Sequence, residues 1–165
     1  MAAVSDSPDT DLRVRPAAAG DLTRLGELAG QLVRMHHATD PARFLLVDGV
    51  EEGYARWFKS QLGRKGVALV VAESNGLVIG YGYGTLEGRD WNALLDDHGA
   101  IHDVMVDAGH RRAGAGRAIM AGLCAALEEM GATRIVLFTM VQNEAAQRLF
   151  AASGFRKTMF EMTRG

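Results

Sequence analysis

The stretch Ile101–Met130, IHDVMVDAGHRRAGAGRAIMAGLCAALEEM, decides the fold of this chain. Its letters predict a short apolar strand, a basic turn with two glycines and a long amphipathic helix, in that order. A strand that passes through such a turn into a helix presents unpaired backbone N–H groups at the positive end of the helix dipole. The stretch therefore predicts an anion-binding turn whose natural ligand is a phosphate.

The turn reads R-x-x-G-x-G from Arg111 to Gly116, and Arg112 and Arg117 add positive charge. Glycine lets a ligand approach the main chain without a Cβ in the way. A P-loop would need Lys and Ser or Thr after Gly116, and a dinucleotide fingerprint would need Gly or Ala where Ile119 stands, so both are excluded. A basic loop whose glycines only cap a helix is the alternative.

Composition and charge limit the class of protein and its possible partners. The chain has 165 residues, is 48% hydrophobic and 23% charged, and carries a net charge of −2, which is typical of one soluble globular domain. This charge argues against a nucleic-acid or membrane partner. The single Cys124 makes no internal disulfide, and neither a signal peptide nor an apolar span is present in the letters, so we expect a cytoplasmic protein.

Periodicity predicts one α/β domain at residues 12–165 after a disordered tail at Met1–Asp11. Helices are expected from Gly20 to about His36 or His37, through Val50 to Leu62, from the turn to Gly131, and from Asn143 to Gly154. Strands are expected at Leu12–Arg15, Val67–Glu73, Leu77–Leu86, from Ile101, at Arg134–Thr139 and at Phe155–Thr163. The resulting order is βααβββαβαβ. No helix follows the GYGYG run at Gly80–Gly84, which we interpret as a strand with one face pared down so that a neighbouring element or a ligand can lie close.

A second motif lies at Asn143–Phe155, NEAAQRLFAASGF. It resembles the signature N-x-x-A-x-x-L-Y-x-x-x-G-F of the GNAT N-acetyltransferase superfamily, with Phe150 in place of the usual Tyr. The turn resembles the acyl-CoA motif of the same superfamily, Q/R-x-x-G-x-G/A after a Val-Asp-like pair. The resemblance covers about residues 12–163. It implies the GNAT fold, which is a mixed, mostly antiparallel sheet flanked by helices.

The resemblance also implies a binding site for acetyl-CoA as co-substrate. The pyrophosphate would lie on the turn, and the pantetheine arm would pair with the main chain of the central strand. Asn143 would reach the pantetheine, although a role as helix N-cap accounts for it equally well. The residues implied are Val104, Met105, Val106, Arg111, Arg112, Ala113, Gly114, Ala115, Gly116, Arg117, Asn143 and Phe150.

Acetyl transfer to an amine needs a base, because only on the order of one in a thousand amines with a pKa near 10.4 is neutral at pH 7.4. His102 and Asp103 are the candidates, and His102 falls where the family often has Glu. Strand alternation places the two on opposite faces, so only one should enter the cleft. A His packed at a strand edge is the alternative for His102. The other histidines are expected at the surface, and no metal-ligand spacing is present.

Phe150 bears on the mechanism, because the Tyr usual at this position is proposed to protonate the leaving thiolate. Tyr83 and Tyr81 on the preceding strand are possible substitutes. Unassisted departure is another option, since a thiol pKa near 8.5 makes the anion only modestly unstable. A slow or degenerate enzyme is a third.

The predicted function is therefore transfer of an acetyl group to a primary amine of a small molecule or peptide, by direct attack in a ternary complex. A non-catalytic acyl-CoA-binding or sensing module is the alternative, and a nucleotide-binding regulator is a third reading. Polyamines, aminoglycosides, amino acids and protein N-termini stay open as acceptors, and acids at Glu87, Asp90, Asp96 and Asp97 would attract such a cation. The sequence leaves the oligomeric state open, a homodimer included.

Overall fold

The computed structural model describes residues 11–165. Five strands and four helices follow in the order β1 Arg13–Pro16, α1 Leu22–Thr39, α2 Val50–Gln61, β2 Val67–Ser74, β3 Leu77–Glu87, β4 His98–Val106, α3 Ala115–Glu129, β5 Ile135–Leu137 and α4 Glu144–Ala152. The expected order is confirmed as far as α4. The tail expected at Met1–Asp11 lies, except for its last residue, outside the described residues.

The strands form one sheet in the order β1-β2-β3-β4-β5. The first three pairs are antiparallel, and β4 and β5 are parallel. One core cluster joins α1 and α2 to one face of the sheet, and a second cluster joins α3 to the other. The predicted mixed, mostly antiparallel sheet flanked by helices is therefore confirmed.

The glycines of β3 explain how α3 approaches the sheet. A Cβ on Gly82 would lie 2.5 Å from Cδ1 of Leu123 and 2.6 Å from Cγ2 of Ile119. On the opposite face of β3, Tyr81 and Tyr83 are buried in the cluster with α1 and α2. The interpretation of the GYGYG run as a strand with one pared face is therefore correct, and the close neighbour is α3.

An ion-pair network fixes the start of the fold. Arg15 donates to both carboxylate oxygens of Asp21, at 2.7 and 3.0 Å, and to Glu73 on β2. Asp21 also accepts the backbone N–H of Ala18 at 2.8 Å. These bonds connect β1, β2 and the turn that begins α1, and the Arg15 guanidinium lowers the pKa of Asp21 below its ordinary value.

The last predicted strand, Phe155–Thr163, is wrong: residues 155–165 contain no strand. The strand predicted at Arg134–Thr139 shortens to β5, Ile135–Leu137, which offers only a three-residue edge for a further ladder. The apolar side chains of this C-terminal segment are also not buried, since Met159, Phe160 and Met162 are 79%, 75% and 91% exposed. Both conditions that stabilise a strand, a paired edge and a buried face, are missing.

Candidate active site

The sheet opens between β4 and β5. Their parallel pairing covers only Gly99–Ile101 against Ile135–Leu137, while β4 continues to Val106. The N–H of Asp107 bonds to Ile79 on the β3 side. Because N–H directions alternate along a strand, the N–H and C=O groups of Val104 and Val106 face the open edge. A strand edge that lacks a partner strand can accept an extended ligand as an added strand.

The basic turn lies at one end of this opening. Gly114 is the N-cap of α3 with φ 87°, no side chain caps the helix, and a Cβ at Gly114 would meet nothing within 4 Å. Arg111, Arg112 and Arg117 are all exposed around it. Arg111 also donates from Nε to the carbonyl of Val106 at 3.3 Å, which joins the turn to the open edge. The first-turn N–H groups therefore face open space beside three guanidinium groups.

A small cavity, of about 70 Å³, lies between α1, β4, β5 and α4. Its lining brings together His102 and Val104 from β4, Asn143 and Phe150 from the second motif, and His36 from α1. The fold thus places residues from both sequence motifs around one space. A larger cavity, of about 300 Å³, lies between α2, β2 and the end of α3, and it contains none of the predicted site residues.

Asn143 both caps a helix and lines the cavity. Its Oδ1 accepts the N–H of Ala146 at 3.1 Å, so it is the N-cap of α4, and it also lines the cavity. Phe150 lines the same cavity and packs against the ring of Phe155 with centroids 6.5 Å apart. A phenyl ring offers no proton to a group in the cavity.

The expectation that His102 and Asp103 lie on opposite faces is wrong. Tyr83 pairs with Asp103 and Gly84 pairs with Ile101, so His102 is the extra residue of a β-bulge. The bulge interrupts the alternation. The His102 ring therefore lies 5.4 Å from the ring of Tyr83, on the α1 and α2 face, and Asp103 shares that face.

Hydrogen bonds define the tautomer of His102. Its Nε2 lies 2.8 Å from the hydroxyl oxygen of Thr85, and that hydroxyl donates to Glu87. Since the single proton of Thr85 is used toward Glu87, His102 donates from Nε2, and in the neutral ring the lone pair lies on Nδ1. Glu87, Thr85 and His102 thus form a chain that leaves one ring nitrogen able to accept a proton.

Asp103 is a partly buried ionisable group on β4. Burial raises its pKa, and the hydrogen bond from Tyr81 and the charges of His102 and His36 partly oppose the shift. Tyr81 and Tyr83 themselves do not line the cavity. The Tyr81 hydroxyl donates to Asp103, and the Tyr83 hydroxyl donates to Gln61 at 3.1 Å. Neither hydroxyl is free to replace the tyrosine missing at Phe150.

Of the histidines expected at the surface, His98 is buried, with 9% exposure, and that expectation is wrong; His36 is half-buried. It lines the cavity, its Nδ1 bonds to the carbonyl of Leu32 at 2.8 Å, and its ring lies edge-on to Phe44 with centroids 4.9 Å apart. The sequence contains the signal, because His36 follows Leu32 by four residues and continues the apolar stripe of Leu25, Leu28 and Leu32.

The acidic loop before β4 is largely engaged with itself. Asp90 accepts the N–H groups of Asn92 and Ala93, and Asp96 pairs with Arg89. Of the acids predicted to attract a cation, Glu87 is the one joined to a cavity residue, with Oε1 3.7 Å from Nε2 of His102. Within residues 11–165 we find no helix long and apolar enough to cross a membrane.

Comparisons with known proteins identify the family and the fold. The sequence model of the Acetyltransferase (GNAT) family matches residues 32–155. The fold resembles an aminoglycoside 6'-N-acetyltransferase from Acinetobacter haemolyticus, with a TM-score of 0.72, 16% identity, and 93% of this chain and 97% of that chain covered. It also resembles glucosamine-6-phosphate N-acetyltransferase from Arabidopsis thaliana, with a TM-score of 0.67, 21% identity and coverages of 93% and 97%.

A Bacillus halodurans protein described as a transcriptional regulator is similar as well, with a TM-score of 0.73, 21% identity, and 93% of this chain and 99% of that chain covered. The search of curated proteins gave no match. These structural similarities, all below 25% identity, show the fold. The family model covers most of the sequence, including the turn and the α4 motif. The chain belongs to the GNAT family of acetyltransferases.

Proposed function

We propose that this protein transfers the acetyl group of acetyl-CoA to a primary amine of a small molecule or peptide. The observation that carries the proposal is the β4–β5 opening, with an uncapped basic helix N-terminus at one end and an imidazole-lined cavity at the other. The opening offers charge to a pyrophosphate and a bare strand edge to an amide-containing arm. No other cavity described above offers both.

The proposed cofactor contacts follow from these positions. Backbone N–H groups at Gly114, Ala115 and Gly116 hold the pyrophosphate, helped by the arginines at 111, 112 and 117. The pantetheine arm pairs with the open edge at Val104 and Val106. Asn143 and Phe150 then border the thioester end, since both line the cavity. A solved aminoglycoside N-acetyltransferase of similar fold, with a TM-score of 0.74, is in complex with CoA, which supports the choice of ligand class.

In the proposed reaction the amine nitrogen attacks the thioester carbon, and the carbon–sulfur bond breaks. His102 accepts a proton from the amine at Nδ1, the nitrogen left free by its bond to Thr85. Asp103 supplies negative charge beside the resulting imidazolium. CoA leaves as the thiolate without a tyrosine donor, which a thiol pKa near 8.5 permits, and then takes up a proton.

The acceptor class rests on chemistry shared by the relatives. The solved neighbours include enzymes named for aminoglycosides and for glucosamine-6-phosphate, both of which carry primary amines. Glu87 beside His102 favours an acceptor with positive charge near the reacting nitrogen. We also propose that the protein is cytoplasmic, because Cys124 is a free, half-buried cysteine, as is usual in a reducing compartment.

The test is thiol release from acetyl-CoA over a panel of amines, with CoA binding measured in parallel by thermal shift. The panel holds an aminoglycoside, an amino-sugar phosphate, a polyamine, an amino acid and a peptide with a free N-terminus. We expect release with at least one amine and a shift with CoA. A CoA shift without release from any amine would favour the non-catalytic binding module, and a shift with ATP or NAD alone would favour a nucleotide-binding regulator.

A further inference from the structure

We propose that His36 is a second proton acceptor of the acetyl transfer, acting from α1 opposite His102 on β4. The inference rests on the proposed function and adds a catalytic residue to it. His36 and His102 line the same cavity, and they come from two different elements packed around it. A cavity of about 70 Å³ has room for an amino group or a few water molecules, so a group placed in it lies close to both rings.

The tautomer of His36 suits this role. The carbonyl of Leu32, 2.8 Å from Nδ1, can only accept a hydrogen bond, so Nδ1 carries the proton. The neutral ring therefore has its lone pair on Nε2. The edge contact with Phe44 restricts the ring from its other side. His36 thus has a fixed ring with one basic nitrogen, as His102 has.

The acceptor nitrogen releases two protons during the reaction, one for each imidazole to accept. An acceptor arrives as R–NH3+ and ends as an amide, so its nitrogen loses two protons, of which one finally goes to the CoA sulfur and one to solvent. The first must leave before the nitrogen can attack, and the second leaves as the tetrahedral intermediate forms and collapses. In the proposal His36 on α1 takes the first proton, and His102 on β4 takes the second.

The surrounding charges are consistent with an imidazole that gains a proton. Asp103 on β4 interacts with the charges of both His36 and His102. Tyr81 on β3 bonds to that carboxylate, and burial and Asp103 raise the pKa of Tyr54 on α2. Two arginines lie close in sequence or space to this part of α1. Arg111 contacts Sδ of Met35, and Arg43 forms an ion pair with Glu161. Asp103 thus places a carboxylate on β4 that interacts with both imidazoles.

The neighbouring His37 provides a matched control. Its Nδ1 also bonds to a main-chain carbonyl, that of Phe44 at 2.7 Å, but His37 does not line the cavity. Asparagine at either position can keep a donor near the place of Nδ1 while removing the basic nitrogen. His36→Asn and His37→Asn therefore make the same chemical change inside and outside the cavity.

The experiment measures kcat/KM for the amine between pH 6.5 and 9.5 in wild type and both variants. We expect His36→Asn to lose ~10²-fold at pH 7, a typical contribution of a general base, with KM for acetyl-CoA unchanged. The loss should fall below ~10-fold near pH 9.5, where the acceptor amine itself is increasingly neutral. His37→Asn should match wild type throughout. A loss that is constant with pH, or equal in both variants, would overturn the proposal.

A second measurement does not depend on activity or on a variant that folds. Long-range proton–nitrogen NMR correlations of the wild-type protein should show His36 protonated at Nδ1 and not at Nε2. The opposite tautomer would overturn the role of His36 even in an active enzyme. An active wild type with fully active His36→Asn would remove this inference and leave acetyl transfer in place, whereas a wild type inactive toward every amine would remove acetyl transfer itself.

Discussion

The hydroxyl of Tyr81 donates a hydrogen bond to Oδ2 of Asp103 at 3.0 Å, from a side chain with no exposure to solvent. The bond ties β3 to β4 at the proposed active site. Burial is the largest influence on Asp103 and raises its pKa above the ordinary value of 3.8. An acid whose pKa is raised by folding costs stability once it ionises, so this cost develops as pH rises from about 3.8 through the folded pKa.

Asp103→Asn should therefore stabilise the protein at neutral pH, because it removes the desolvated charge and keeps an oxygen for Tyr81. We expect the Tm at pH 7.5 to rise by roughly 2–4 °C, the shift that about 1 kcal/mol makes in a domain of this size. Below about pH 3.8 the gain should vanish, since wild-type Asp103 is then protonated as well. Thermal unfolding followed by circular dichroism at both pH values checks this, and a lower Tm at pH 7.5 would contradict it.

Asp21→Asn should have the opposite pH dependence. The Arg15 guanidinium lowers the pKa of Asp21 below 3.8, so the pair stabilises the fold above that pH and loses its effect as pH falls through the folded pKa. We expect the variant to lose about 1–3 kcal/mol at pH 7, the range for hydrogen bonds to charged groups. Urea unfolding at pH 7 and pH 3 measures the difference. A deficit that did not shrink at pH 3 would be inconsistent with this ion pair.

Gly82→Ala and Gly53→Ala test the packing of α3 on the sheet. A methyl group at Gly82 would lie 2.5 Å from Leu123, whereas at Gly53 in α2 it would meet nothing within 4 Å. Overpacking should cost Gly82→Ala about 1–3 kcal/mol. Replacing a helical glycine should stabilise Gly53→Ala by roughly 0.5–1 kcal/mol. Equal effects of the two substitutions in urea unfolding would show that α3 does not constrain β3.

Substitution of Thr85 tests the hydrogen-bond chain that runs from Glu87 through Thr85 to His102. Thr85→Val keeps the shape of the side chain and removes the oxygen that accepts from Nε2 of His102, so the ring loses its fixed orientation. We expect kcat to fall by roughly 10-fold, the lower end for loss of an outer hydrogen-bond partner, with KM for acetyl-CoA unchanged. Thr85→Ser retains the hydroxyl and should recover most of the rate. Equal rates for the Val and Ser variants would remove Thr85 from the mechanism.

Local patterns predicted the parts of the fold that local chemistry determines. The strand, turn and helix around Gly114 form as expected, and so does the close contact of β3 with α3 at Gly82. Asn143 caps α4 as its position suggested. Each of these features depends on a few neighbouring residues whose spacing is visible in the letters.

The errors arose where distant residues decide the outcome. The bulge at His102 depends on how Tyr83 and Gly84 pair with β4, and period-two alternation cannot reveal such a register shift. The strand predicted at Phe155–Thr163 does not form, since its residues have neither a paired neighbouring strand nor a buried apolar face. His98 was assigned to the surface with the other histidines but is buried, and the place of His36 on the apolar stripe of α1 brings that residue to the cavity.

The central claim is that the open edge of β4 holds an acyl-CoA, and amide hydrogen exchange tests it most directly. The N–H groups of Val104 and Val106 face the opening, while that of Asp107 already bonds to Ile79. Saturating CoA should slow exchange at Val104 or Val106 at least about 10-fold, as a new hydrogen bond protects the amide, and leave Asp107 nearly unchanged. Unchanged exchange at both valines under saturating CoA would contradict the account.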